Sequence, residues 1–185
     1  MKDARTFWYK RNGIPADGGA SEKVAKAPFG PITLYVPNFS ARMGSLERHD
    51  LHHILLNAPT SVAGEAIVGA FETAAGCGSF WVSWFLEPQN IIFGLVLCPR
   101  DTYRTFLLGR RSKSLFHGPF QSGWIEMSVG ELRKKILASE TPKAKPLDIF
   151  SFLFWTAVGF CELMISFAVL ALRFACLFFL IRMII

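Results

Sequence analysis

Residues 49–53 read HDLHH, and they concentrate side chains that can bind a metal ion. On a helix with about 100° between successive residues, His49, Asp50 and His53 project within an arc of about 100°. Eleven residues separate His53 from the carboxylate of Glu65. Imidazole nitrogens and carboxylate oxygens are common ligands of transition metals. The pattern predicts a divalent-metal site at His49, Asp50, His53 and Glu65.

A metal ion with an open coordination position can polarise a carbonyl group or activate bound oxygen. The nitrogen ligands favour zinc or another transition metal over calcium. The same residues have a simpler interpretation, in which the His-x-x-x-His pair is a surface or capping pair, Asp50 pairs with Arg48 or His53, and Glu65 is solvated. His52 projects outside the arc and is not among the predicted ligands.

Two helices have to position these residues. Helical periodicity of apolar residues predicts the first from Phe39 to Leu56, and it stops before Pro59 because the residue ahead of a proline disfavours the α region. The second begins near Ser61 and ends at residues 76–78, which read Gly-Cys-Gly. It is rich in glycine and alanine, so we expect another helix to approach it closely.

The remaining patterns also favour helices. The apolar runs at 80–85 and 91–97 are short, Pro99 suits the first turn of a helix, and Ser128 with Glu131 forms a capping box. The predicted fold class is all-α. A flexible arm at 1–30 precedes a helical domain at 31–140, a linker at 141–148 and one transmembrane helix at 149–185.

The C-terminal segment is the reason for the membrane assignment. Between residues 149 and 185 the non-apolar residues are few: Ser151, Thr156, Gly159, Glu162, Ser166, Arg173 and Arg182. A helix crosses the hydrocarbon core with about 20 residues, so this segment predicts one span. It excludes a simple soluble enzyme, and no other stretch supports a polytopic transporter. Lys143 and Lys145 place the domain in the matrix or cytoplasm.

Two charged residues lie inside this span. Glu162 and Arg173 share one helix face but are about 16 Å apart along it, so they cannot pair with each other. An ionisable group at this depth is costly unless protein, water or neutralisation compensates it. We expect both residues to face a protein partner in the membrane. The alternative is a protonated Glu162 and an Arg173 that snorkels in lipid.

Overall charge and cysteine content constrain the function less than the metal-binding pattern and the apolar C-terminal segment do. The formal net charge is +6, and five basic residues lie between residues 100 and 113: Arg100, Arg104, Arg110, Arg111 and Lys113. They indicate a solvated helix face or contact with anionic lipid headgroups. No nucleic-acid partner is expected, since no recognised motif accompanies them. The four cysteines show no C-x-x-C spacing, which favours a reducing compartment.

The metal-binding pattern resembles the signature of a known protein family. His-Asp-x-x-His, eleven residues and then Glu is the signature of the coenzyme Q (ubiquinone) biosynthesis protein 4 family, and the chain resembles it at His49, Asp50, His53 and Glu65. The segment His49–Glu72 is similar to the family's metal helix, its proline turn and its following helix. Residues 124–126 and 131–133 resemble C-terminal elements, so the likeness covers roughly residues 29–138.

The resemblance implies an all-helical domain on the matrix side of the mitochondrial inner membrane, with a divalent metal at the four signature positions. Members of that family organise the ubiquinone biosynthetic proteins and are implicated in replacing the ring carboxylate of a polyprenyl-benzoate precursor. Isoprenoid quinone, membrane lipid and other inner-membrane proteins are the expected partners. The chain departs from the family in having only 48 residues before His49 and in carrying a C-terminal membrane span.

Three functions are compatible with these features. The first is a membrane-anchored metal-binding protein of ubiquinone biosynthesis, which binds the quinone lipid or organises the biosynthetic complex. An accessory subunit of a mitochondrial respiratory complex, derived from this family, is the second. The third, a tail-anchored adaptor, would leave the metal signature unexplained. Copurification with a respiratory complex distinguishes the first two.

Overall fold

The computed structural model describes residues 1–19, 21–29, 32–38, 40–139 and 143–184. Helices dominate the described chain and are accompanied by one antiparallel β-hairpin. The elements in order are α1 (Lys2–Arg11), β1 (Val24–Phe29), β2 (Ile32–Pro37), α2 (Ser40–Leu56), α3 (Val62–Ala75), α4 (Trp81–Leu97), α5 (Pro99–Gly109), α6 (Gly123–Glu126), α7 (Val129–Ile136) and α8 (Pro146–Ile184). The predicted helical domain and single long C-terminal helix are confirmed.

The first 30 residues differ from the predicted flexible arm. Residues 2–11 form α1, which packs on α2, and the Tyr9 hydroxyl donates to Asp50 over 2.7 Å. The helix ends at Arg11, and Gly13, directly after the Asn12 C-cap, adopts a positive φ of 65°. Strand β1 then pairs with β2, with Val24 opposite Pro37. The helix was missed because its apolar residues are few and its contacts come from distant segments.

The two helices predicted for the metal site are present. α2 begins at Ser40; Phe39, where the predicted helix begins, lies outside the described residues. α3 begins after Ser61, whose hydroxyl accepts from the Gly64 amide over 3.3 Å. It ends at Gly76, where φ is 95°, a value that glycine adopts without strain. After the Pro59 turn α3 runs antiparallel to α2, since His53 faces Glu65 and the earlier His49 faces the later Glu72.

The two short apolar runs belong to one helix, α4, which continues through Pro88. Glycines from both neighbours approach the same segment of α4. A Cβ on Gly69 of α3 would lie 2.9 Å from the Glu87 carbonyl oxygen, and one on Gly159 of α8 would lie 2.0 Å from the Pro88 carbonyl oxygen. Helix α4 is therefore held between α3 and α8 at backbone distance, as the small residues of α3 led us to expect.

The predicted capping box is present at α7. The Ser128 hydroxyl accepts from the Glu131 amide, and the Glu131 carboxylate accepts from the Ser128 amide over 2.7 Å. Arg133 of the same helix donates to the carbonyl oxygens of Ile54 and Leu55. These oxygens belong to the last turn of α2, where the helix itself provides no amide to bond them. Arg133 therefore links the last turn of α2 to α7.

Helix α8 has the length and composition to cross a membrane, with a mean hydropathy of 2.5 in its most apolar window. It begins inside the predicted linker, because the buried Asp148 accepts from the Lys145 amide and from Arg111 at 2.6 and 2.8 Å. Arg110 is a further partner. Two of the five clustered basic residues therefore attach α8 to α5. Further along, Trp155 stacks on Trp84 of α4.

Two clusters of buried side chains form the core. One joins α2 to α7 and the segment between α5 and α6, with members that include Leu51, Leu55, Leu115, Trp124 and Leu132. The other joins α3, α4 and α5 to α8 through Ala70, Ile91, Phe106 and Phe152. The first half of α8 is thus part of the domain's own core.

The contact at Gly159 can be tested by adding one methyl group. We expect Gly159→Ala to lower the free energy of unfolding by about 1–3 kcal/mol, because the new Cβ would collide with the α4 backbone. Gly130→Ala is the matched control: nothing lies within 4 Å of its Cβ, and alanine favours helix by about 1 kcal/mol over glycine. Thermal unfolding in detergent micelles measures both. Equal melting temperatures would contradict close α4–α8 packing.

Candidate metal centre

Three predicted ligands converge between α2 and α3. The Nε2 atoms of His49 and His53 lie 3.2 Å apart, and the Glu65 carboxylate lies 3.1 Å from the first and 3.3 Å from the second. One turn of α2 separates the histidines, and Glu65 lies in the first turn of α3. These three residues form a group that can hold a metal ion.

Hydrogen bonds at Nδ1 of each imidazole identify which ring nitrogen is left to bind a metal ion. His53 Nδ1 lies 3.3 Å from the Ala58 carbonyl oxygen, which can only accept, so Nδ1 carries the proton. His49 Nδ1 lies 3.1 Å from both oxygens of the Glu72 carboxylate and is assigned as a donor in the same way. In neutral imidazoles both Nε2 atoms are then acceptors facing the Glu65 carboxylate. A cation between them, either a metal ion or added protons, has to neutralise this arrangement.

The spacing suits a tetrahedral metal ion. Two ligands about 2.0–2.1 Å from zinc in tetrahedral geometry are about 3.3 Å apart, which agrees with the three separations of 3.1–3.3 Å. Two histidines and one glutamate would leave a fourth position for water or substrate, as in catalytic zinc sites. The Glu65 side chain is 35% exposed, so the group is reached from the surface on its side.

A second group lies behind His49. Glu72 and Glu87, both buried, face its Nδ1 atom at 3.1 and 3.8 Å and with His49 make another set of potential ligands. Because His49 Nδ1 donates to Glu72, the carboxylate also orients the imidazole and makes Nε2 a better ligand. Sequence reasoning missed both residues. Glu72 is seven residues after Glu65 and so on the same face of α3, a spacing that could have indicated it.

His52 belongs to the same network, although the sequence placed it outside the arc. Its Nε2 accepts from the Leu115 amide over 3.2 Å, so Nδ1 carries a proton and donates to Glu72 over 2.6 Å. The predicted arc runs from His49 to Asp50. In the structure, α3 packs against the side of α2 that carries His49 and His52. Both histidine and carboxylate are fully buried.

Asp50 lies outside both groups among the described residues. Its carboxylate accepts from the Tyr9 hydroxyl at 2.7 Å and is buried under α1. Burial raises the pKa of Asp50 to about 6, while nearby His49 opposes the rise. The structure therefore brings together His49, His53 and Glu65 but gives Asp50 a different partner.

The electrostatics of the site favour a bound cation. Burial opposes ionisation of Glu65 and Glu72, but hydrogen bonds and charge from the histidines outweigh it and hold the pKa of both carboxyls below the usual range. Burial and the nearby Glu72 raise the pKa of Glu87 to about 8, so Glu87 retains a proton at neutral pH. Burial lowers the pKa of His49, yet the surrounding carboxylates raise it well above its ordinary value.

His53 also lines a cavity of about 450 Å³. Trp8, Phe7 and Ile54 supply apolar walls, and Arg11 and Arg133 supply positive charge. This combination fits an amphipathic anion with an aromatic or aliphatic body.

The two residues predicted to face a protein partner in the membrane have different surroundings. Glu162 is half-buried, with its Oε2 atom enclosed and without a hydrogen-bond partner in the described part of the chain. The neighbouring Ser166 donates to Gln89 of α4 over 3.2 Å, which places this face of α8 against the domain. Arg173 is exposed. A contact of either residue with another protein stays a prediction.

Comparisons of the chain with protein families, with curated proteins and with solved structures find no match.

The geometry predicts which substitutions remove the metal. We expect purified protein to bind about one equivalent of a divalent transition metal, and His53→Ala and Glu65→Ala to lose most of it because each removes a ligand from the group. Asp50→Asn is the matched control, because Asp50 bonds to Tyr9. Elemental analysis after dialysis measures the metal. Retention by His53→Ala, or loss by Asp50→Asn alone, would contradict this ligand set.

Metal affinity should also depend on pH. Since the pKa of His49 is raised well above 6.5 without a metal, the imidazole is protonated at neutral pH and a metal ion has to displace that proton. We expect binding about tenfold tighter for each pH unit gained between about pH 6.5 and 7.5 if one proton is released. Zinc titration against a competing chelator measures this. A pH-independent affinity would mean that His49 is already neutral.

Proposed function

We propose that the chain is a membrane-anchored, metal-dependent protein of ubiquinone biosynthesis, located in the mitochondrial inner membrane with its domain on the matrix side. The observation that carries the proposal is the convergence of His49, His53 and Glu65 at 3.1–3.3 Å. This spacing fits zinc or another transition metal with one open coordination position. The residues are the ones that carry the family resemblance.

The structure supports a reaction close to a membrane. Helix α4 carries Glu87 on the side that faces His49 and packs against α8 through Trp84 and Pro88. The site and the candidate span are therefore separated by one helix. A substrate with a long isoprenoid tail can keep the tail in lipid while its polar ring approaches the domain.

The chemistry of the site suits a ring that carries a carboxylate. A metal ion held by the two histidines and Glu65 would supply positive charge to a developing negative charge on the substrate. The neighbouring cavity contains Arg11 and Arg133 beside apolar side chains, a combination that recognises an aromatic acid. In the proposed function the protein binds a polyprenyl-benzoate intermediate, acts on its carboxylated carbon or presents it to partner enzymes.

One observation favours the second function, an accessory subunit of a respiratory complex. Arg173 is exposed within a segment of α8 whose other exposed residues are apolar, among them Leu170, Leu172 and Phe174. An exposed guanidinium at this depth is costly in lipid but can pair with a neighbouring transmembrane protein. An accessory subunit requires such a membrane partner, whereas an enzyme that acts alone on a lipid substrate does not.

Lipid analysis of cells tests the proposed function. In cells where His53→Ala replaces the natural chain, we expect a large loss of ubiquinone and accumulation of an intermediate that keeps its ring carboxylate, because a ligand is missing. Lys134→Ala, an exposed residue on α7, is the control. Lipid extracts analysed by mass spectrometry measure both species, with membrane protein levels matched by immunoblot.

The outcomes separate the two functions. Normal ubiquinone in His53→Ala cells, together with stoichiometric copurification of the chain with a respiratory complex, would refute the biosynthetic function and support the accessory subunit.

A further inference from the structure

The junction between α4 and α5 exposes apolar and basic side chains next to each other. Val96 and Leu97, the last two residues of α4, are 79% and 56% exposed. Arg100 and Arg104 follow in the first half of α5 and are exposed as well. Neither guanidinium forms an ion pair with another described residue. Neighbouring apolar and basic side chains suit the boundary between lipid acyl chains and headgroups.

Contacts between α4 and α8 show where this junction lies along the candidate span. Trp84 stacks on Trp155, and a Cβ on Gly159 would lie 2.0 Å from the Pro88 carbonyl oxygen, so the two helices run in the same direction. Helix α4 ends about nine residues after Pro88. Its end is therefore approximately level with Ala168, which follows Gly159 by the same distance.

Helix α8 loses its contact with the domain at the same level. Every side chain from 167 to 179 is exposed, whereas the earlier part of α8 is buried on one side. From 167 to its end the helix is about 27 Å long, close to the thickness of the hydrocarbon core of about 30 Å. The exposed charges of Arg100, Asp101 and Arg104 keep the domain itself out of the hydrocarbon. The surface of the bilayer consequently coincides with the α4–α5 junction.

The end of α1 lies on the same side of the domain. The Cys98 thiol donates to a carbonyl oxygen in the first turn of α3 over 3.8 Å. Thr60, directly before α3, donates to the side chain of Asn12, the C-cap of α1, over 3.0 Å. The last turn of α1 carries two exposed basic residues, Lys10 and Arg11. We call Lys10, Arg11, Arg100 and Arg104 the basic rim.

We propose that the basic rim binds the phosphates of anionic lipid headgroups, so that this end of the domain rests on the membrane surface where α8 enters it. The inference goes beyond the proposed function and requires only that α8 spans a membrane. Charge complementarity carries it, because phosphates are the anions that a bilayer provides at this level. The exposed acid among these residues, Asp101, lies in the first turn of α5, where the helix dipole stabilises a carboxylate.

Photo-crosslinking tests the proposal on the full chain in nanodiscs of equal parts phosphatidylglycerol and phosphatidylcholine. The photoreactive amino acid p-benzoylphenylalanine replaces Val96, whose exposure leaves room for it, and mass spectrometry identifies the lipid adducts. We expect phosphatidylglycerol adducts in about fivefold excess or more, the factor that one basic residue contributes at an anionic surface. The same probe at Leu86, earlier on α4 and 41% exposed, should give no lipid adduct. At Phe174 it should react with lipid and show that α8 is inserted.

Charge variants separate phosphate binding from proximity to lipid. We expect Arg100→Gln/Arg104→Gln to lower the ratio of phosphatidylglycerol to phosphatidylcholine adducts at position 96 by about threefold or more. The matched control is Lys113→Gln/Lys145→Gln, which removes the same charge from exposed residues near Asp148, at the other end of α5. This control should leave the ratio unchanged. The melting temperature of each labelled protein, compared with the unlabelled chain, shows that the domain has kept its fold.

Each other outcome overturns the proposal. A ratio near one at position 96 would mean that the junction lies near lipid without binding phosphate, and an equal effect of both double variants would mean that the basic rim has no special role. Lipid adducts at position 86 would place the bilayer surface elsewhere on the domain. Adducts at 174 without adducts at 96 would mean that the domain stands away from the membrane. Crosslinks of doubled protein mass at 96 would mean that a second copy covers the junction, and absence of adducts at all positions would refute the membrane anchor itself.

Discussion

A carboxylate removed completely from water has to be compensated by charge or hydrogen bonds, and Glu72 imposes this constraint on the domain. Its fully buried oxygens accept from His49 and His52, and the other nitrogen of His52 is held by the Leu115 amide. Removing one partner from a buried charged pair costs about 3–5 kcal/mol. The packing of α2 on α3 and the position of the 115 segment therefore depend on one carboxylate, and the same contact directs His49 Nε2 toward His53 and Glu65.

The features predictable from the sequence were those determined by short-range rules. Apolar periodicity, the proline turn and the Ser128 cap each act within a few residues, and they identified α2, α3 and α7. The convergence of His49, His53 and Glu65 into a group that can hold a metal ion followed from their spacing on these helices. Asp50 has the same spacing, but α1 provides Tyr9 as its partner, and nothing in residues 49–65 indicates that.

The remaining features depend on contacts between distant segments. Glu87 reaches His49 in the candidate metal centre only because Gly69 brings α4 within backbone distance of α3. The start of α8 inside the predicted linker depends on Arg111, which is 37 residues away from Asp148. Prolines at 142 and 146 indicated a break, yet proline is well tolerated in the first turn of a helix, and Pro146 occupies that position.

Helix α8 runs without interruption from its attachment at Asp148 through the contact at Gly159 to the exposed residues beyond 166. The domain is consequently joined to the candidate membrane span by a continuous helix rather than by a flexible linker. With α8 in a bilayer, the candidate metal centre would keep one height and one orientation relative to the lipid plane. Under the proposed function, the encounter with a membrane-borne substrate would be a two-dimensional search, in which only molecules whose reactive group reaches that height could be bound.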